Sequence, residues 1–172
     1  MLRILGILAV IAGSSGCALR IVRERAEYLE RCRSWQELFE LMEHEIVFQK
    51  SSLPEICERA GTRLSGNRKL FLDRIGRAFE EDGGETLGEI WRREVKLIFR
   101  KEPVKKELEK EVEELGGRLC FEDGGLQRKI LQDMEKYIGK HQKEQENISR
   151  ERNKLTLCAG VMGGLLLTIL LL

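Results

Sequence analysis

The middle of the chain repeats its apolar residues every three or four positions, the spacing of an amphipathic helix and not of a strand. Trp35, Leu38, Phe39, Met42 and Ile46 form one stripe, and Phe71, Leu72, Ile75, Ala78 and Phe79 a second. Leu87, Trp91, Val95 and Ile98 form a third, Val104, Leu108, Val112 and Leu115 a fourth, and Leu126, Ile130, Met134, Tyr137 and Ile138 a fifth. Each stripe covers about one third of a helix, the width that a bundle core requires. Start and stop signals separate them. Ser52-Leu53-Pro54-Glu55 is a capping box with proline in the first turn, opening a short helix that ends at Gly61. Asn67 caps the next helix, and Gly83-Gly84 ends it. Thr86-Leu87-Gly88-Glu89 is a second capping box, Pro103 separates the stripes on either side of it, Gly116-Gly117 stops the fifth helix, and Asp123 caps the last. The pattern predicts an all-α fold: a small antiparallel bundle of about six helices, flanked by two transmembrane helices.

The flanking helices are predicted by the ends of the chain. Leu155 to Leu172 is 18 residues without a charge, and as a helix it measures roughly 27 Å, close to the hydrocarbon thickness of a bilayer. Gly160, Gly163 and Gly164 suit close packing inside a membrane better than a soluble helix. Ile4 to Leu19 is 16 uncharged residues between Arg3 and Arg20, whose side chains can reach outward. Three readings stay open for it: a membrane helix, which is favoured, a cleaved signal, or a lipoprotein signal ending at Cys17. Arg20, Arg23 and Arg25 follow the first stretch, and Arg150, Arg152 and Lys154 precede the second. The positive flanks put the middle on the cytoplasmic side and both termini across the membrane. The expected layout is an N-terminal span over 1–22, a helical bundle with a polar stalk over 23–154, and a C-terminal span over 155–172. The stalk, Lys140 to Asn153, carries only Ile148 as an apolar residue.

Charge sharpens the division. The chain has 172 residues with 30 Lys+Arg and 29 Asp+Glu. Apart from Arg3, every charge falls between Arg20 and Lys154, a segment of net charge zero. That balance argues against a nucleic-acid binder working by phosphate neutralisation. Five scattered cysteines without a CxxC pair indicate neither a zinc site nor a disulfide framework, in keeping with a reducing compartment. Gly61 to Arg68 has the glycines of a phosphate loop but Asn67-Arg68 where Lys-Ser/Thr is required, so it reads as a turn between helices. His44-Glu45 lacks a second zinc ligand because Phe occupies position 48. No catalytic, cofactor-binding or metal-ligating set is expected. Two features remain as candidates. Glu45 lies on an apolar boundary beside Leu41 and Phe48, where a carboxylate needs a partner; Lys50 is the nearest cation, and an internal hydrogen bond or docking role is the alternative. Glu107, Glu109, Glu111, Glu113 and Glu114 form a dense Lys/Glu helix, either a solvated face or an acidic docking strip for a basic partner.

Taken in order, these segments resemble the stage III sporulation protein AB family of endospore-forming bacteria over essentially the whole chain. Glu45-Ile46, then Phe48, Ser51, Leu53 and Glu55, is similar to the family's Glu-Ile, aromatic, Thr-Pro-Leu, Glu run. Trp91 falls at a family tryptophan, and Gly116, Leu119, Asp123, Gln127 and Lys129 are similar to its Leu-Gly, Asp, Gln, Lys segment. Ser51-Ser52 and Cys120 depart from that pattern, in turns. The resemblance implies a non-enzymatic platform in the channel between mother cell and forespore, anchored in the mother-cell membrane around the forespore. Its bundle would be similar to the cytoplasmic domain of type II secretion F proteins and would face the mother-cell cytoplasm. The implied partners are the stage III sporulation ATPase, which is secretion ATPase-like, other channel components and the lipid bilayer, with self-association permitted and no cofactor or nucleic acid. A second expectation, from the Cys17 reading, is a lipidated or signal-anchored extracytoplasmic envelope scaffold.

Overall fold

A computed structural model describes residues 2–49, 53–81, 84–120 and 124–171. These form six helices: α1 (Leu2–Gln49), α2 (Leu53–Arg63), α3 (Gly66–Glu80), α4 (Leu87–Lys101), α5 (Lys106–Arg118) and α6 (Gly124–Leu171). There is no strand among the described residues. The all-α expectation and the helix number therefore hold. The chain divides into two compact units, Met1–Glu30 with Gln142–Leu172, and Arg31–His141.

Within Arg31–His141, the successive helices α2 to α5 run antiparallel, because contacts move up one helix as they move down the next. Cys57 faces Gly76 and Gly61 faces Leu72 and Asp73, which pairs α2 with α3. Asn67 meets Glu102 and Arg74 meets Glu94, which pairs α3 with α4. Gly88 meets Gly117 and Trp91 meets Gly116, which pairs α4 with α5. Glu43 binds Arg128 at 3.2 Å and Gln132 at 2.7 Å, tying α1 to α6. The stripes point into one core, except that Leu126 is exposed and Val104 lies ahead of α5, only half-buried. Trp35, Phe39, Phe71, Trp91 and Phe99 form a continuous aromatic cluster with neighbouring rings 5.0–6.4 Å apart. Edge-on contacts of Phe71 with Trp35 and Trp91 match the ring quadrupoles as well as burying area.

Several helix ends differ from the sequence expectation. Helix α2 passes through Gly61 to Arg63, because Gly61 lies against α3. A Cβ there would come within 3.2 Å of Asp73 Oδ1, so this glycine serves packing and not termination. Ser65, not Asn67, is the N-cap of α3, its side chain makes no capping bond, and Gly66 takes φ +62° to turn the chain between α2 and α3. The 61–68 segment is thus the turn between helices that its missing lysine indicated. Helix α5 likewise continues through Gly116-Gly117 to Arg118. The Ser52 and Asp123 caps and the Lys50 partner of Glu45 lie outside the described residues.

The second capping box forms as expected. Glu89 N–H donates to Thr86 Oγ1 at 3.4 Å, and Thr86 N–H donates to Glu89 Oε2 at 2.8 Å. The Thr86 amide, and then its hydroxyl, hold the Glu89 carboxyl below the usual carboxylate range. The stabilisation this contributes is therefore complete above that range and fades as pH falls through the lowered value. Thr86→Ala is expected to lower stability by about 1 kcal/mol, measurable as a shift of the urea midpoint with no change in slope.

In the other unit, Arg20 and Arg23 pair with Glu24 and Glu27 one turn on, and Arg25 donates to Asn153 Oδ1 at 2.7 Å. Past Lys154 most described side chains are apolar and exposed, with Leu155 70% and Ile169 72% exposed. Among the described residues no helix is long and apolar enough to cross a membrane. The side chains of residues 1–12, and of many residues in 161–172, lie outside the described set, and the two expected spans rest largely on these.

Candidate functional site

The residues singled out by sequence fall into three places. The first is the seam between α4 and α5. Trp91 is fully buried and donates its indole N–H to the Val112 carbonyl at 2.7 Å. That bond satisfies the ring nitrogen within an otherwise apolar core. Gly116 is directly beneath the ring: a Cβ there would sit 2.3 Å from Trp91 Cβ and Cγ. One turn away, Gly88 approaches the Gly117 backbone. Gln127 Nε2 donates to the Leu119 carbonyl at 3.1 Å, so the start of α6 caps the end of α5. Trp91, Gly116 and Gln127, read separately from the sequence, thus act together to hold α5 in place.

What this seam holds in place is the second feature, the outer face of α5. Leu108, Val112, Leu115 and Gly116 are buried, and the remaining positions face outward. Glu107 and Glu114 are exposed, while Glu109, Glu111 and Glu113 are half-buried. Lys110 pairs with Glu114 at 3.8 Å, and Arg118 pairs with Glu111 at 3.3 Å. Five carboxylates face three cations within Lys106–Arg118, so the face stays acidic after internal pairing. Exposed ion pairs of this kind add little stability.

The third place surrounds Glu45, which is only 2% exposed. Its partner is Arg63, at the end of α2, with Nη2 3.5 Å from Oε1; His44 lies 3.9 Å away. Oε2 has no hydrogen-bond partner among the described residues. The carboxylate thus ties α1 to α2, a non-local contact. Ile46 is buried beside Gly124, Leu53 is half-buried, and Glu55 is exposed in the first turn of α2. Asp123 lies outside the described residues.

Sequence reading missed Arg68. It is 4% exposed, its guanidinium carbon lies 4.3 Å above the Trp35 ring, and its Nε donates to Ser34 Oγ at 3.1 Å. Nη2 is 3.1 Å from Glu102 Oε2, a charge contact without hydrogen-bond geometry. Burial pushes this guanidinium down to about 10, with Glu102 opposing the shift. The available signal was register, because Arg68, Phe71, Leu72 and Ile75 continue a single helical stripe.

Burial pushes the Cys57 thiol up to about 12, and Cys32 is fully enclosed. Among the described residues no group of His, Cys, Asp or Glu is arranged to hold a metal.

The fold and its surfaces define a helical bundle whose distinctive features are charged outer faces on a rigid aromatic core. The family model of Stage III sporulation protein AB matches residues 3–172, and the chain belongs to that family. A sporulation role follows from this membership. A solved structure of Stage III sporulation protein AB is similar in fold, with a TM-score of 0.63 at 14% identity, covering 72% of this chain and 97% of that one. No curated protein matches.

Proposed function

We propose that this chain is a non-enzymatic, twice-anchored platform of the mother-cell-to-forespore channel, docking a cytoplasmic secretion-type ATPase through the acidic face of α5. The observation that carries the reading is the division of the chain. Two uncharged stretches, 4–19 and 155–172, frame a segment of zero net charge, within a family match that includes both stretches. The exposed Leu155, Leu157, Met162, Leu166 and Ile169 support immersion of the C-terminal stretch in lipid. The α5 face supports docking, because its apolar side is used up in the core and its carboxylates exceed its cations.

The test combines side and contact. Exposed Cys17, Cys120 and Cys158 are replaced, while buried Cys32 and Cys57 stay. A reporter cysteine is placed at exposed Lys129. The expected result is protection from an impermeant thiol reagent in intact cells and labelling once they are opened. Paired reversal of Glu107 and Glu114 to lysine is expected to weaken ATPase capture at least tenfold, an effect of over ~1.4 kcal/mol, with unchanged helicity. Labelling in intact cells would instead make the extracytoplasmic scaffold the better account.

A further inference from the structure

We infer that the Arg31–His141 unit binds a second copy of itself head to tail, the groove between α3 and α4 of one copy receiving the outer row of α1 of the next. The groove is built as a receptor for something both apolar and acidic. Leu70 on α3 and Leu97 on α4 stand on its two walls, 42% and 38% exposed, although Phe71 and Ile98 beside them are buried. Large apolar side chains exposed on facing helices mark a surface that gains from being covered. The surroundings are positive. Helix α4 carries five basic residues against two acidic ones, in a segment whose net charge is zero. Glu94, on the groove wall, already faces both Arg74 and Arg93, each at 3.4 Å. Lys101, at the other end of the groove, and Lys96 and Arg100 beside it have no carboxylate partner among the described residues.

The matching surface is on the same unit. Glu37, Glu40 and Val47 lie exposed along α1 at positions three to seven apart, which is one helix face. Glu43 and Glu135 adjoin them at the seam with α6, where Glu43 meets Arg128 at 3.2 Å and Glu135 feels the Lys136 charge. Burial, and then the Glu40 and Glu43 charges, raise the Glu135 carboxyl above the usual range, a sign that negative charge is crowded there. Val47 supplies the apolar contact for Leu70 and Leu97, and the carboxylates meet Lys96, Arg100 and Lys101. The acidic face of α5 is a poorer occupant, because its apolar residues are already buried.

The two surfaces are on different helices of one copy, so the contact is heterologous. Such contacts propagate, giving a ring if the rotation closes and an open row if it does not. The inference does not depend on the ATPase-docking reading.

The test uses the full chain in detergent, followed by sedimentation. Wild type is expected to self-associate, and more weakly as salt rises. Arg100→Glu with Lys101→Glu makes both surfaces acidic, and Glu37→Lys with Glu40→Lys makes both basic. Each pair is expected to weaken association at least tenfold. Mixing the two variants restores opposite charges at every junction and is expected to restore assembly. A monomeric wild type, association indifferent to either reversal, or a mixture that stays dissociated would each overturn the inference. Assembly driven by the apolar ends alone would appear as the second of these.

Discussion

Gly116→Ala is expected to destabilise the bundle by roughly 3 kcal/mol or more, although alanine is the better helix former by up to ~1 kcal/mol. The reason is contact. A Cβ at position 116 would lie 2.3 Å from Trp91 Cβ and Cγ and 2.6 Å from Cδ1. No real Cβ tolerates that distance, and the atoms it meets are the root of the ring and not a flexible tip. Trp91 cannot swing aside, because its N–H is held on the Val112 carbonyl at 2.7 Å and its faces are set against Phe39 and Phe71. Helix α5 must therefore move outward, losing the close approach between Gly88 and Gly117 as well. Gly117→Ala is the control. It lies in the same helix, one residue on, with nothing within 4 Å of the added carbon, and it is expected to stabilise by roughly 0.5–1 kcal/mol. Chemical denaturation of the two variants checks the pair. Equal effects at the two positions would show that the Trp91 contact does not decide the seam.

The same glycines show where sequence reading stops. In isolation a Gly-Gly pair disfavours helix, so reading Gly116-Gly117 as a stop was sound local physics. The tertiary contact with Trp91 reverses it, because only a residue without a Cβ lets α4 and α5 approach so closely. Gly61 misled in the same way, through α3. Asn67 was a good cap by residue type, yet the helix begins two residues earlier than that cap implies, at Gly66 after Ser65, and the Asn67 amide is drawn to Glu102, the residue just past α4. By contrast, Thr86 and Glu89 needed only each other, four residues of local chain, and that box formed as written. The stripes were legible for the same reason, since periodicity reports which face is buried without knowing against what.

The candidate surfaces were legible in composition but not in arrangement. The Lys/Glu run of α5 announced an outward face, and Leu108, Val112 and Leu115 confirm the register. Nothing in the run indicated that Trp91, Gly116 and Gln127 converge to hold it. Glu45 was recognised as a boundary carboxylate in need of a partner, but Arg63 comes from the next helix, and no local rule brings the two together. The groove of Leu70 and Leu97 was invisible, because exposed leucines look like core leucines until neighbouring helices are placed.

Glu102→Gln is expected to cost roughly 3 kcal/mol, about a 10 °C fall in thermal midpoint for a unit of this size. Glu102 is partly exposed, and its own loss of charge matters little; what matters is the cation left behind. Arg68 is 4% exposed and pushed down only to about 10, so it keeps its proton at neutral pH and cannot escape desolvation by losing charge. With the carboxylate gone, it retains the Trp35 face at 4.3 Å and the Ser34 hydroxyl at 3.1 Å, neither of which neutralises it. The reverse deletion is different. Arg68→Met fills the space above Trp35 with an apolar chain and leaves Glu102 with access to water and the Asn67 amide. Its cost should be small or even negative, as when buried ion pairs give way to apolar residues. The sign of the pH dependence follows from the lowered folded value. The penalty for holding a buried cation is present in full below about pH 10 and is relieved only as pH rises through that value. Losing the Glu102 charge also removes what holds the Arg68 value up, so in the variant that value falls further. The Glu102→Gln deficit should therefore be flat between roughly pH 6 and 7 and shrink as pH rises beyond that, and adding Arg68→Met should recover most of it. A deficit that survives the second substitution would mean that Glu102 acts through Asn67 and the end of α4, and not by neutralising Arg68.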